Sequence, residues 1–161
     1  AMKQAMAIAH EANRKVAFTL SDIACIAPHR DDFLGLIRSG AIDLLFANEN
    51  EIRELADVPD RDRAIAALEG KVPLIVVTCG AEGALAVEKG VRASVPIARI
   101  GRGVVDTTGA GDLFAAGFLV GQARGRSIED SLRIGSIAAA EVISHFGARP
   151  EADLRDLVAG L

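Results

Sequence analysis

A chain of 161 residues amounts to about one domain, enough to build one hydrophobic core and too little for two independent ones. Half of its residues are hydrophobic and a quarter are charged, which excludes a disordered or collagen-like chain. A net charge of −4, with neither half basic, and six Phe without any Tyr or Trp argue against nucleic acid as a partner.

Met2 to Ala12 opens the chain as a helical pattern with no capping residue and no strand ahead of it. A doubly wound domain normally starts with a strand. The expectation is therefore that residues 1–161 are a single C-terminal portion of a longer protein; a natural N-terminal helix is the alternative. Lys15 to Leu20, Ile42 to Phe46 and Leu74 to Thr78 are short apolar runs bounded by turn residues, as buried parallel strands are. Leu20-Ser21-Asp22, Cys25 and Pro28-His29-Arg30 form a polar stretch that reads as a loop leading into a helix over Asp32 to Ser39. Ile52 to Leu68 is again helical, interrupted at Pro59, where a new helix should start. Strands alternating with helices predict βαβ units and a mostly parallel sheet.

After Gly80 the pattern changes. Ala84 to Glu88 and Val91 to Ile97, joined by Lys89-Gly90, predict a hairpin. Asp112 to Arg124, Ile128 to Ser144 and Glu151 to Val158 predict helices. The longest uncharged run, Leu113 to Ala123, has eleven residues, short of the roughly 20 that span a bilayer. No leader with a cleavage site is visible. Cys25 and Cys79 make no metal spacing with each other or with His10, His29 and His145, and imply no disulfide scaffold. A soluble cytoplasmic protein without a membrane partner is the expectation.

The chemistry concentrates in Val104 to Gly117, VVDTTGAGDLFAAG. Gly109 and Gly111 let the backbone turn tightly and let an anion approach closely. The unpaired amides at the start of the following helix, with its dipole, make an anion site. Asp112 is itself an anion placed there. A phosphate site with a carboxylate beside it suits phosphoryl transfer to a hydroxyl, which needs a proton acceptor. The plainer alternative is a Gly-rich turn in which Asp112 only complements the dipole. Two standard phosphate motifs are missing: Phe114 stands where a dinucleotide fingerprint has its third Gly, and no GxxxxGK[ST] occurs.

The string Asp106-Thr107-Thr108-Gly109-Ala110-Gly111-Asp112, followed by Phe114 and Gly117, resembles the C-terminal motif of the ribokinase-like (PfkB) carbohydrate and nucleoside kinases. Other segments match in the same order: Asn48-Glu49-Asn50-Glu51 resembles the family's NxxE, Thr78-Cys79-Gly80 with Gly83 its TxGxxG, and Ser136 to Gly147 its Ala-rich helix and following loop. The resemblance spans essentially the whole chain. It implies a three-layer α/β/α ribokinase-like fold, here its C-terminal nucleotide-binding part, with the acceptor-binding half and lid absent. It implies that Asp112 is the general base, and that the amides of Gly109, Ala110 and Gly111 are the anion hole. Asn48 and Glu51 would hold the water shell of Mg²⁺, and Thr78, Gly80 and Gly83 the nucleotide path, with Ser136 beside the adenine. Asp106 and Thr108 would form a monovalent-cation loop, for K⁺.

Each assignment has a structural alternative. Asn48 and Glu51 fit a helix-capping box, Thr78 an ordinary strand end, and Asp106 a loop staple. The family resemblance implies an ATP-dependent kinase whose small-molecule acceptor is adenosine or a related ribonucleoside, suggested by the Leu20 to Arg30 stretch; a free sugar, as in ribokinase or fructokinase types, is the runner-up. The isolated chain is expected to be inactive. A noncatalytic nucleotide-binding or interaction domain is the alternative from another class, and a homodimer is left open.

Overall fold

A computed structural model describes residues 1–99 and 103–161. The elements are α1 (Met2–Glu11), β1 (Ala17–Thr19), α2 (Ile23–Arg38), β2 (Leu44–Asn48), α3 (Glu49–Ala56), α4 (Arg61–Leu68), β3 (Leu74–Thr78), a 3₁₀ turn (Gly80–Glu82), β4 (Ala84–Glu88), β5 (Val91–Val95), α5 (Ala110–Ala123), α6 (Ile128–Val142) and α7 (Leu154–Leu157). The strands form one sheet in the order β1-β2-β3-β4-β5. Two compact units divide the chain: Ala1–Thr78 with Ala86–Arg92, and Cys79–Leu85 with Ala93–Leu161.

In the first unit β1, β2 and β3 are parallel, with Phe18 beside Leu45 and Leu45 beside Ile75. Every residue of β2 and β3 is buried except the last of each, Asn48 and Thr78. Full burial is what continuous apolar runs produce when both faces of a parallel sheet are covered. Asn48 and Thr78 are register partners, so the two polar side chains emerge together at the carboxyl ends of adjacent strands, where open α/β sheets bind ligands. Asp43 ties α1 to this sheet: its Oδ2 accepts the Val16 amide at 2.7 Å and lies 2.9 Å from His10 Nε2.

One expected loop is helix. The stretch from Ile23 to Arg30 belongs to α2, whose cap is Asp22, with Oδ1 accepting the Ala24 amide at 2.8 Å. Pro28 lacks an amide hydrogen and crowds the preceding turn; the helix bends at His29 (φ −122°, ψ 19°) and continues instead of starting there. Arg30 is used on α3, paired with Glu54 at 2.8 Å and Asp57 at 3.3 Å. Pro59 stands two residues before α4, because Asp60 takes the cap and accepts the Arg63 amide.

In the second unit α5 and α6 cross with their backbones nearly touching. A Cβ on Gly117 would lie 2.9 Å from Gly135 Cα, and one on Gly135 would lie 2.7 Å from the Phe114 carbonyl oxygen. Phe118 and Leu132 are fully buried beside this crossing. The hairpin turn Lys89-Gly90 has positive φ at both residues, 50° and 79°, the geometry that suits two-residue hairpins. β5 stops at Val95 since Pro96 cannot donate to a ladder. Among the described residues no helix is long and apolar enough to cross a membrane.

Candidate active site

In the second unit the 106–112 loop is held by one side chain. Asp106 Oδ1 accepts the amide and the hydroxyl of Thr108 at 2.9 and 2.7 Å, and Oδ2 accepts the Gly147 amide at 3.1 Å. The Thr108 hydroxyl, then the Thr108 and Gly147 amides, keep the Asp106 carboxyl below its ordinary range. The Val105 amide donates to the Ile143 carbonyl at 2.8 Å. Gly109 then caps α5 in the left-handed region at φ 80°, and a Cβ there would lie 2.7 Å from Ala148 Cβ. Only glycine meets both demands.

The three amides expected at an anion hole, those of Gly109, Ala110 and Gly111, differ in their use in the structure. The Ala110 amide is already used, donating to the Thr107 carbonyl at 3.2 Å. The amides of Gly109, Gly111 and Asp112 have no acceptor among the described residues. No atom lies within 4 Å of where a Cβ on Gly111 would sit, so a side chain there would meet open space. Asp112 is exposed in the first turn of α5. The arrangement offers free amides and a helix dipole to an anion, with a carboxylate one residue away able to take a proton.

In the first unit Asn48 and Glu51 form a complete capping box. Asn48 Oδ1 accepts the amides of Asn50 and Glu51, both at 2.9 Å, while Glu51 Oε2 accepts the Asn48 amide at 2.9 Å and Oε1 the Asn48 side-chain amide at 2.8 Å. Glu51 is buried, and burial, opposed by the Asn48 amide and reinforced by Asp22, pushes its carboxyl above the usual range. The capping role is thus real, and it does not exhaust the carboxylate. Each Glu51 oxygen accepts one bond and has capacity for another. Hard oxygen donors that can accept bonds from coordinated water fit a hydrated Mg²⁺.

Of the other expected residues, Thr78 is half-buried beside Asn48, and Gly80 is exposed with φ 51° and open space around it. Gly83 is buried, and a Cβ there would strike the Val95 carbonyl oxygen at 2.1 Å; its lack of a side chain serves backbone packing. Ser136 is buried, with its hydroxyl accepting the Ala98 amide at 2.9 Å, so it holds the chain that follows β5. Gly147, Ala148 and Glu141 went unassigned in the sequence. A lone acid in the Ala-rich run was the one visible signal for Glu141.

The motif order and the loop geometry agree with a family-wide match: the model of the pfkB family carbohydrate kinases fits residues 1–154. This chain belongs to the pfkB carbohydrate kinase family. Its fold is the ribokinase-like α/β fold. Among solved structures, the probable sugar kinase of Rhizobium etli CFN 42 is 40% identical with a TM-score of 0.94, covering 98% of this chain and 47% of that one. The adenosine kinase of Sinorhizobium meliloti is 42% identical with a TM-score of 0.93, covering 98% and 48%. An uncharacterized sugar kinase of Archaeoglobus fulgidus is 39% identical over 106 residues, 66% of this chain and 42% of that protein. The chain therefore spans a little under half the length of these relatives.

Proposed function

We propose that these residues are the nucleotide-binding part of an ATP-dependent kinase that phosphorylates a hydroxymethyl group of a ribonucleoside of the adenosine class. The observation that carries the reading is the exposed Asp112 carboxylate at the start of α5, beside amides of Gly109, Gly111 and Asp112 that lack internal acceptors. Phosphoryl transfer asks little covalent chemistry of a protein and much charge stabilisation. Asp112 takes the proton of the acceptor hydroxyl as its oxygen bonds to phosphorus and the bond to the departing ADP breaks. The open amides hold the transferring phosphoryl oxygens. Bound Mg-ATP supplies the phosphoryl group and neutralises its charge, and in the first unit Glu51, oriented by Asn48, would accept bonds from the cation's waters. Asp106 staples the loop through its own hydrogen bonds.

The adenosine class is favoured by the 42% identity with the S. meliloti enzyme. A free-sugar acceptor is the second reading, favoured by the similar likeness to the R. etli sugar kinase. Since the match covers under half of each relative, the activity is assigned to the whole kinase that carries these residues, and the isolated 161-residue chain is expected not to turn over. The test is ATP consumption by that kinase with adenosine, ribose or fructose. Adenosine should give the highest kcat/KM; preference for either free sugar would hand the assignment to the second reading, and no turnover with any acceptor would contradict the kinase proposal.

A further inference from the structure

Glu141 sits in the last turn of α6, 3% exposed. An acid there opposes the helix dipole, and burying it away from water is costly. Its Oε1 accepts two backbone amides, from Glu151 at 2.9 Å and Ala152 at 2.8 Å, while Oε2 is buried without a partner among the described residues. His145 Nε2 lies 3.4 Å from the same Oε1. Residues 145–152 are mostly exposed and lack regular structure, so little apolar packing holds them, and the Glu141 carboxylate is one of their few fixed points. That segment is also what touches the anion loop: the Gly147 amide donates to Asp106, and Ala148 rests where a Gly109 side chain would be.

We propose that Glu141 is a positioning residue for the 106–112 loop: by gripping the Glu151 and Ala152 amides it fixes the 145–152 segment, which in turn holds Asp106 and Gly109. Glu141 touches no residue of the loop directly in this network. The coupling runs through backbone, from the far end of the segment to its near end, and it sets the direction in which the Gly109 and Gly111 amides point. Its consequence for turnover rests on the kinase reading above; its consequence for loop order does not.

The test is hydrogen–deuterium exchange, read peptide by peptide, on the whole kinase as wild type and as Glu141→Ala, Glu141→Gln and Ala148→Gly, with turnover measured alongside. In Glu141→Ala, exchange across 105–112 rises about tenfold, as loss of charge-assisted hydrogen bonds allows, and kcat falls with the acceptor KM unchanged. Glu141→Gln keeps an oxygen that accepts both amides, and its exchange stays within about twofold of wild type. Ala148→Gly, an exposed position whose change leaves Glu141 in place, tests the near end of the coupling and loosens 105–112 in the same direction. Should Glu141→Ala fail to fold, Glu141→Asp, whose shorter carboxylate is drawn back from the two amides, takes its place with the same expected loosening. Loosening confined to 145–152, with 105–112 unchanged, would overturn the proposal, as would equal loosening in the Gln and Ala variants. A wild type without turnover whose exchange still follows this pattern would refute the kinase reading and leave the clamp standing.

Discussion

The Asp106 carboxylate accepts the Gly147 amide at 3.1 Å across 41 positions of sequence. With its other oxygen Asp106 holds the Thr108 amide and hydroxyl, so one side chain joins the loop before α5 to the segment after α6. Under the proposed kinase reading, a loop held in this way is what lets amides stabilise a transferring phosphoryl group without reorganising at the moment of reaction.

Gly109 and Gly111 should respond unequally to the same substitution. Gly109→Ala forces a side chain into the left-handed region and against Ala148, and should cost about 1–3 kcal/mol of stability in chemical denaturation. Gly111→Ala meets nothing within 4 Å and should leave stability within about 1 kcal/mol of wild type. Equal destabilisation by both variants would refute the distinction.

The α5–α6 crossing makes a purely structural prediction. A methyl on Gly135 would come within 2.7 Å of the Phe114 carbonyl, so the helices must separate. Gly135→Ala should lower stability by about 1–3 kcal/mol, seen as a lower midpoint in urea with an unchanged slope.

Asp43 gives the pH dependence. Burial pushes its carboxyl up, but the Val16 amide and His10 outweigh it and hold it below its ordinary value of 3.8. A folded-state pKa below the unfolded one means a contribution to stability that is complete above about pH 4 and is lost as pH falls through the lowered value. Asp43→Asn should flatten the stability profile below pH 4 and lower the plateau above it. An acid limb identical to wild type would show that Asp43 does not titrate in this way.

Glu51 predicts a split between fold and cation dependence. Its carboxyl is raised by burial, so its contribution to stability declines as pH climbs from the unfolded value of 4.5 through the folded one. Glu51→Gln removes that decline and keeps an oxygen for the Asn48 amide, so the fold should be retained. The Mg²⁺ concentration for half-maximal turnover should rise about tenfold or more. An unchanged Mg²⁺ requirement would reduce Asn48 and Glu51 to a helix cap.

Much of this architecture was legible in local patterns. Leu74 to Thr78 is a strand within the bounds its apolar run suggests, and Lys89-Gly90 marks the hairpin because a two-residue turn needs two positive φ values. The loop motif was legible because Gly and Asp at fixed spacing carry backbone chemistry. What was hidden depends on tertiary context. The first half of α2 was obscured by Pro28 and its polar neighbours, which break the apolar period although the helix only bends there. A sequence does not show that the Thr107 carbonyl accepts the Ala110 amide while the Gly109 and Gly111 amides are left open. Glu141 reads as a surface acid until the fold buries it against amides ten and eleven residues downstream.

The most direct test of the central claim is the turnover of an Asp112→Asn variant of the whole kinase, with ATP-analogue affinity measured by calorimetry on the same sample. Removal of a general base should cut kcat by about 10²–10⁴-fold while nucleotide affinity stays within a few fold, since the amides of Gly109 and Gly111 are untouched. A variant that turns over like wild type would take Asp112 out of the mechanism and reduce it to a complement of the α5 dipole.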